Sequence, residues 1–209
     1  MTPTRHSPID ERLREAMSRL PRSAFSPSTL SAADSAACAC PPAWALAPEC
    51  LTEKMLGALE LTGSERVLEI GASSGYETTL LSRLAGDVVS LDSDQENAEA
   101  RLQVLTSLGC HNVRLFLGEG PLGWPGEGPY QAILVAGGAS RLPTALLDQL
   151  DIGGRLVIPL GDANGQVVEL VRKRADGVTL QALGSSRLPM LPWAARRPSF
   201  FPWNRETSG

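Results

Sequence analysis

At 209 residues, 43% of them apolar, the chain suits one domain with a sizeable core. A net charge of −4 with no Lys/Arg block argues against a nucleic-acid partner. No segment approaches roughly 18 apolar residues and the first residues lack a signal-peptide apolar run, so the expectation is a cytoplasmic chain with no membrane partner.

Residues 1–6 read as a loose tail. Ser7 can cap a helix with Pro8 at its first position and Asp10 three residues on. Ile9, Leu13, Met17 and Leu20 then share one face, and Pro21 stops the helix. Residues 23–48 show little periodicity and many Ser, Ala and Pro residues, and read as a long irregular segment of the kind that carries function or is mobile. Leu51, Met55 and Leu59 mark a second helix. Four cysteines, Cys38, Cys40, Cys50 and Cys110, read as free thiols. The C-x-C pair with Cys50 has no nearby fourth ligand, since His6 and His111 lie far off in sequence, so no metal is expected.

Strands and helices then alternate. Residues 66–70, 88–91, 113–117 and 132–136 read as strands, the last apolar throughout as if buried on both faces. Residues 78–84 and 97–108 read as helices, the second with Ala98, Leu102, Leu105 and Leu108 inward and Gly109 at its end. A short helix over 142–150 precedes a strand over 154–159 that starts after a Gly-Gly turn. Residues 166–174 and 178–183 form a hairpin around Asp176-Gly177. The pattern predicts an α/β fold, Rossmann-like, with a mainly parallel sheet and an antiparallel C-terminal edge. It is read as one domain over 1–209: helices and an irregular segment to residue 60, a core over 61–191 and an aromatic tail over 192–209. Trp193, Phe200, Phe201 and Trp203 in that tail are read as a clamp onto the domain, the alternative being a partner-binding or substrate-covering tail.

The most informative stretch is 66–76, RVLEIGASSGY: a buried strand, a tight Gly-containing turn and a helix. Asp92 ends the next apolar run. Strand, Gly-turn, helix, strand, acid is a nucleotide-binding crossover, in which the turn offers backbone N–H groups and the acid takes the ribose hydroxyls. The acidic loop after 117 can hold an adenine amino group. With no Walker pattern and no basic phosphate site, an uncharged adenosine ligand is favoured over a dinucleotide. Gly71–Gly75 also matches G-x-S-x-G, the hydrolase elbow around Ser73. That reading needs a downstream His, and His111, the sole later one, falls before strand three, on the far side of the sheet.

These residues resemble the protein-L-isoaspartate (D-aspartate) O-methyltransferases. The resemblance is carried by VLEIGxxSGY at 67–76, GxGxLGWP at 118–125, YQAILVAGGA at 130–139 and QLDIGGRLVIPLG at 149–161, with REAMSRLPRSAF at 14–25. It implies a Rossmann-like S-adenosylmethionine-dependent methyltransferase. It places Glu69, Gly71, Ser73 and Gly75 on the methionine and ribose side, Asp92 at the ribose hydroxyls, and Ser93 among the cofactor-binding residues. Glu119 and Gly120 fall at the adenine, and Ala136 at the end of its strand. Ser73 stands where the family usually has Gly, Glu119 where it has Asp, and Gln131 where it has another Asp.

The larger departure is upstream. The family's Gln-Thr-Ile-Ser-Gln-Pro segment falls on Trp44, Ala45, Leu46, Ala47, Pro48 and Glu49, so both hydroxyls at the substrate end are gone. The C-terminal Phe-Val-Pro-Leu run becomes Leu188, Pro189, Met190 and Leu191. Trp44, Ala45 and Ala47 are therefore the substrate-side candidates, and no catalytic residue is assigned. The expected activity is carboxyl O-methylation of a small molecule, peptide or protein, with an altered acceptor. The alternative is a non-catalytic S-adenosylmethionine-binding or interaction protein.

Overall fold

The apolar runs form a seven-stranded sheet in the computed structural model, which describes residues 8–25, 46–72, 74–93, 98–118 and 120–195. In chain order the elements are α1 (Pro8–Ser18), a 3-10 turn at Arg22–Phe25, α2 (Glu49–Gly57), β1 (Arg66–Ile70), α3 (Tyr76–Leu84), β2 (Asp87–Asp92) and α4 (Ala98–Ser107). There follow β3 (Val113–Leu117), β4 (Tyr130–Val135), α5 (Thr144–Gln149), β5 (Leu150–Asp162), β6 (Gly165–Arg174), β7 (Gly177–Ser186) and a helical turn at Pro192–Ala195. No described helix is long and apolar enough to cross a membrane.

The strand order is β3-β2-β1-β4-β5-β6-β7. The first four pairings are parallel and the last two antiparallel. This is the α/β Rossmann-like architecture with an antiparallel C-terminal edge that the sequence predicts. The chain reverses its winding at β1, which lies between β2 and β4. Open parallel sheets bind ligands outside the carboxyl ends of the strands at such a point.

The core has two layers. On one face Leu13, Met17, Leu20, Met55, Leu59, Leu80, Leu81 and Leu84 pack from α1, α2 and α3 onto Val67, Val88 and Leu134. On the other face Tyr130, Leu146 and Leu150 pack with Leu68, Val89, Ile133 and Leu156. β1 and β4 feed both layers by alternation, which explains their unbroken apolar character.

Two elements differ from the pattern read in the sequence. β5 begins at Leu150, ahead of Gly153-Gly154, but its pairing with β4 passes from Leu150 to Arg155, and Gly153 turns the chain there at a φ of +84°, which a glycine adopts without a Cβ penalty. In α4, Leu102 faces solvent at 52% exposure, and Arg101 turns inward at 4%. Leu105 holds the expected inward position. The helix turns a cation inward to face a buried acid at the end of β2.

Candidate functional site

Four strand ends are knit together at the carboxyl edge. The Gly71 N–H donates to the Leu91 carbonyl (2.9 Å), the Ala136 N–H to Ile70 (2.9 Å) and the Gly118 N–H to Asp92 (2.9 Å). Ser93, Asp92, Gly71 and Ala136 are thereby set side by side across β2, β1 and β4. The ladder register does this without help from the side chains. Of the expected cofactor residues, Glu69, Gly71, Gly75, Asp92, Ser93, Gly120 and Ala136 fall on or beside this edge; Ser73 and Glu119 lie outside the described residues.

The turn after β1 is built from backbone. Gly71 and Gly75 have φ of +89° and +83°, in the region that favours glycine. The Gly75 N–H closes onto the Ala72 carbonyl (2.7 Å), and the Thr79 hydroxyl back-bonds to the Gly75 carbonyl (2.8 Å). These bonds set the start of α3 beside the strand ends, where its first N–H groups favour a partly negative ligand.

Glu69 does not line the crevice as an open acid. It is fully buried under the turn, and its Oε2 accepts from Thr78 of α3 (2.7 Å) and Ser90 of β2 (2.7 Å). Its Oε1 has no partner among the described residues. Burial pushes its pKa up to about 7, against the two hydroxyl donors. The carboxyl is a brace joining β1, β2 and α3 beneath the glycine turn.

Asp92 is 9% exposed and ion-paired with Arg101 Nη1 at 3.3 Å. This partner is not legible from the sequence, because an arginine next to a leucine on a helix reads as the solvent side. The guanidinium offsets the cost of burying the carboxylate. Its aliphatic stem also passes beside Gly75, 3.4 Å from where a Cβ would stand.

The loop after β3 is fixed by one amide. Gln149 Oε1 accepts the Trp124 N–H (2.8 Å), and Nε2 donates to the Leu122 carbonyl (2.8 Å). Trp124 stacks on Phe116 with ring centroids 4.4 Å apart. Gly120 is thereby held at the crevice, where a Cβ would fall on the Trp193 indole and 2.8 Å from Ile70. Gln131 stands away from the site: it accepts from the Arg66 N–H (2.9 Å) and donates to Asp151 (3.1 Å).

The segment after β7 crosses this edge as a strap. The Gly138 N–H donates to Pro189 (2.8 Å) and the Leu191 N–H to Gly138 (2.9 Å). Leu191 packs 2.9 Å from the Cβ direction of Gly71 and 2.8 Å from that of Gly137. Trp193 packs against the core beside Gly120; Phe200, Phe201 and Trp203 lie outside the described residues.

On the substrate side, Trp44 and Ala45 lie outside the described residues, as do Cys38 and Cys40. Ala47 is described. Its carbonyl accepts a short hydrogen bond from Arg22 Nη2. The Arg22 guanidinium lies over the Tyr76 ring, 4.8 Å from its centroid, and Phe25 meets Tyr76 edge-on at 5.3 Å. Ala47, Thr52, Met55, Leu56, Glu77, Leu134, Ala136 and Leu188 enclose a small cleft. Thr52 Oγ1 donates to Glu77 Oε1 (3.3 Å). Arg22, Thr52 and Glu77 were not singled out from the sequence, which carries no local signal linking residues 25 or more apart.

The chain matches the family model described as protein-L-isoaspartate(D-aspartate) O-methyltransferase over residues 4–187. The protein-L-isoaspartate O-methyltransferase of Trichlorobacter lovleyi is 46% identical over 130 residues, covering 62% of this chain and 60% of that protein. Protein-L-isoaspartate O-methyltransferase 1 of Rhodopseudomonas palustris is 38% identical over 191 residues, covering 88% and 78%. Matches to three of the first curated relatives thus span 54–60% of those proteins' lengths. Among solved structures, a protein-L-isoaspartate O-methyltransferase shares the fold with a TM-score of 0.71 at 23% identity, covering 86% of this chain and 61% of that one. A second, from Plasmodium falciparum in complex with S-adenosyl-L-homocysteine, has a TM-score of 0.68 at 17% identity, covering 87% and 90%.

Proposed function

We propose, for a chain that belongs to the protein-L-isoaspartate (D-aspartate) O-methyltransferase family, that it binds S-adenosyl-L-methionine and methylates a carboxylate. The observation that carries this reading is the alignment of Asp92, Gly71 and Ala136 on adjacent strand ends, with a backbone turn beside them. The fit is chemical as well as positional. A buried carboxylate suits ribose hydroxyls, and N–H groups with no phosphate-binding Lys suit an adenosine without a pyrophosphate. Asp92, Gly71, Gly75 and Gly120 would hold the cofactor. When bound, it supplies a methyl group activated on a sulfonium.

The chain's own part is orientation. A carboxylate acceptor, with a pKa of roughly 4, is already ionised at neutral pH, so no general base is required. Positioning two reactants in line is worth several kcal/mol by itself. The acceptor side supports a substrate other than an isoaspartyl residue. Ala47 stands where the family pattern has a hydroxyl, and its neighbours in the cleft are mostly apolar.

A second reading, a non-catalytic binder of the same cofactor, is favoured by the strap. Leu191 and Trp193 rest directly on Gly71, Gly137 and Gly120. Calorimetric titration with S-adenosylhomocysteine tests the shared part: the expected result is saturable binding, and no heat at millimolar ligand defeats both readings. Labelled-methyl transfer to a panel of carboxylates separates them. Robust turnover of an isoaspartyl peptide would show the acceptor to be unaltered.

A further inference from the structure

The residues after β7 lie on the surface that a bound adenosine needs free. Leu191 covers Gly71 and Gly137, and the Met190 sulfur stands 2.6 Å from the Cβ direction of Gly138. Trp193 covers the next position along. Its indole lies where a Cβ on Gly120 would point, and Ile70 Cγ2 bounds the same spot at 2.8 Å. A ribose gripped by Asp92 directs its base toward a neighbouring strand end. The Gly118 N–H donates to the Asp92 carbonyl, so the loop at 118–120 is such a neighbour. The space beside Gly120 is therefore where a base would rest, and an indole fills it. Indole and adenine are alike in outline, each a flat fused pair of five- and six-membered rings.

The indole is lightly held. Its Nε1 is buried and finds no acceptor among the described residues. A buried donor without a partner offsets part of what burying the ring gains. The Trp193 side chain is packed against the core but not sealed into it. The strap's last backbone bond to the domain is from the Leu191 N–H to the Gly138 carbonyl, at 2.9 Å. Among the described residues, no backbone hydrogen bond joins Pro192–Ala195 to the sheet.

We propose that Trp193 is an autoinhibitory stand-in for the adenine: its indole occupies the base position in the unliganded chain, and the cofactor binds by displacing the turn at 192–195. The strap up to Leu191 keeps its bonds to Gly138 and serves as the anchor. The chemistry favours the exchange. An indole brings one N–H donor and no acceptor, whereas an adenine brings an amino donor and ring-nitrogen acceptors. The base can therefore pair with backbone groups of the crevice that the indole leaves unused. While the indole is docked the site is closed, so the apparent affinity is the intrinsic one scaled by the open fraction. The inference rests on the methyltransferase reading for the identity of the incoming ligand.

The test compares S-adenosylhomocysteine binding to the native chain, Trp193→Ala and Trp193→Phe by calorimetry. Trp193→Ala should bind about tenfold tighter, as expected if the native strap is open roughly one-tenth of the time. Trp193→Phe keeps an apolar ring and loses the unpartnered donor, so it should bind no tighter than the native chain. A purely structural cover, or an indole that stacks on the bound base, predicts the opposite sign for Trp193→Ala. A second measurement needs no variant that must stay folded. The Trp193 indole N–H resonance of the native chain, assigned by its loss in Trp193→Phe, should be protected from water exchange when unliganded. It should exchange freely once S-adenosylhomocysteine saturates the protein. A gain under about threefold or weaker binding in Trp193→Ala, or an indole N–H still protected in the complex, overturns the inference and leaves the methyltransferase reading in place. No binding to the native chain or to Trp193→Ala at millimolar ligand defeats both together.

Discussion

Asp92 and Glu69 lie on neighbouring strands of the same sheet, yet their surroundings divide their work. Asp92 ends β2 at the crevice edge and is ion-paired with Arg101 at 3.3 Å. Replacing it with Ala should weaken S-adenosylhomocysteine binding by about 1.5–3 kcal/mol, roughly ten- to a hundredfold, measured by calorimetry. Glu69 is sealed away and titrates near neutrality. Its folded pKa of about 7 lies well above the 4.5 of an exposed glutamate. Its contribution to stability is therefore fully present below pH 4.5 and is lost as pH rises through about 7. Thermal unfolding from pH 5 to 8 should show that decline in the native chain, and Glu69→Gln should flatten it. An unchanged slope in the variant would assign the decline to other groups. The sequence reading named both acids as ligands for one cofactor. It had no means of seeing that Thr78 and Ser90 turn inward to claim one of them.

Among the elements, α4 departs most from what periodicity suggests. A count of apolar residues puts Leu102 in the core, whereas the helix puts Arg101 there and leaves Leu102 in solvent. The deciding quantity is electrostatic. An unpaired Asp92 at 9% exposure costs more than one leucine left wet. Arg101→Ala should therefore destabilise the protein by about 3–5 kcal/mol, and Leu102→Ala should stay within about 0.5 kcal/mol, by urea denaturation. The strap after β7 depends on another buried polar group. Gln166, 3% exposed, accepts the Leu188 N–H at 2.8 Å and donates back to the Leu188 carbonyl at 3.3 Å. Gln166→Leu should strand those two backbone groups. The expected loss is about 1–3 kcal/mol with the sheet intact, read as a lower melting temperature with unchanged far-ultraviolet circular dichroism.

Across the molecule, strands with both faces covered surround β1, and the two edges are β3 and β7. Every residue from Gly177 to Ala182 is exposed, whereas Val67–Ile70 and Ala132–Val135 are buried. Amide hydrogen exchange should follow this gradient, slowest in β1 and β4 and fastest in β7. Comparable rates in the centre and at the β7 edge would contradict the layering. The same gradient explains what could be read from the chain. Central strands announce themselves as unbroken apolar runs, so the strand–helix alternation, the hairpin and the Gly-turn with its acid were all visible in the sequence. The sequence places the start of β5 at 154 and its end at 159, against 150 and 162 in the structure; the Gly153-Gly154 turn it reads there is a break in the strand, with Gly153 at φ +84° and the pairing with β4 passing from Leu150 to Arg155. Arg22, Thr52 and Glu77 meet across 25 residues or more, where no spacing rule applies. The strap carries a further consequence, in the order of assembly. The glycines of the crevice come from the first two-thirds of the chain, but their cover, Leu191, arrives 120 residues after Gly71. Closing so long a loop is entropically late. The chain can therefore build its sheet before it roofs the crevice, and in that interval the glycine floor is open to water and to any small molecule that fits it.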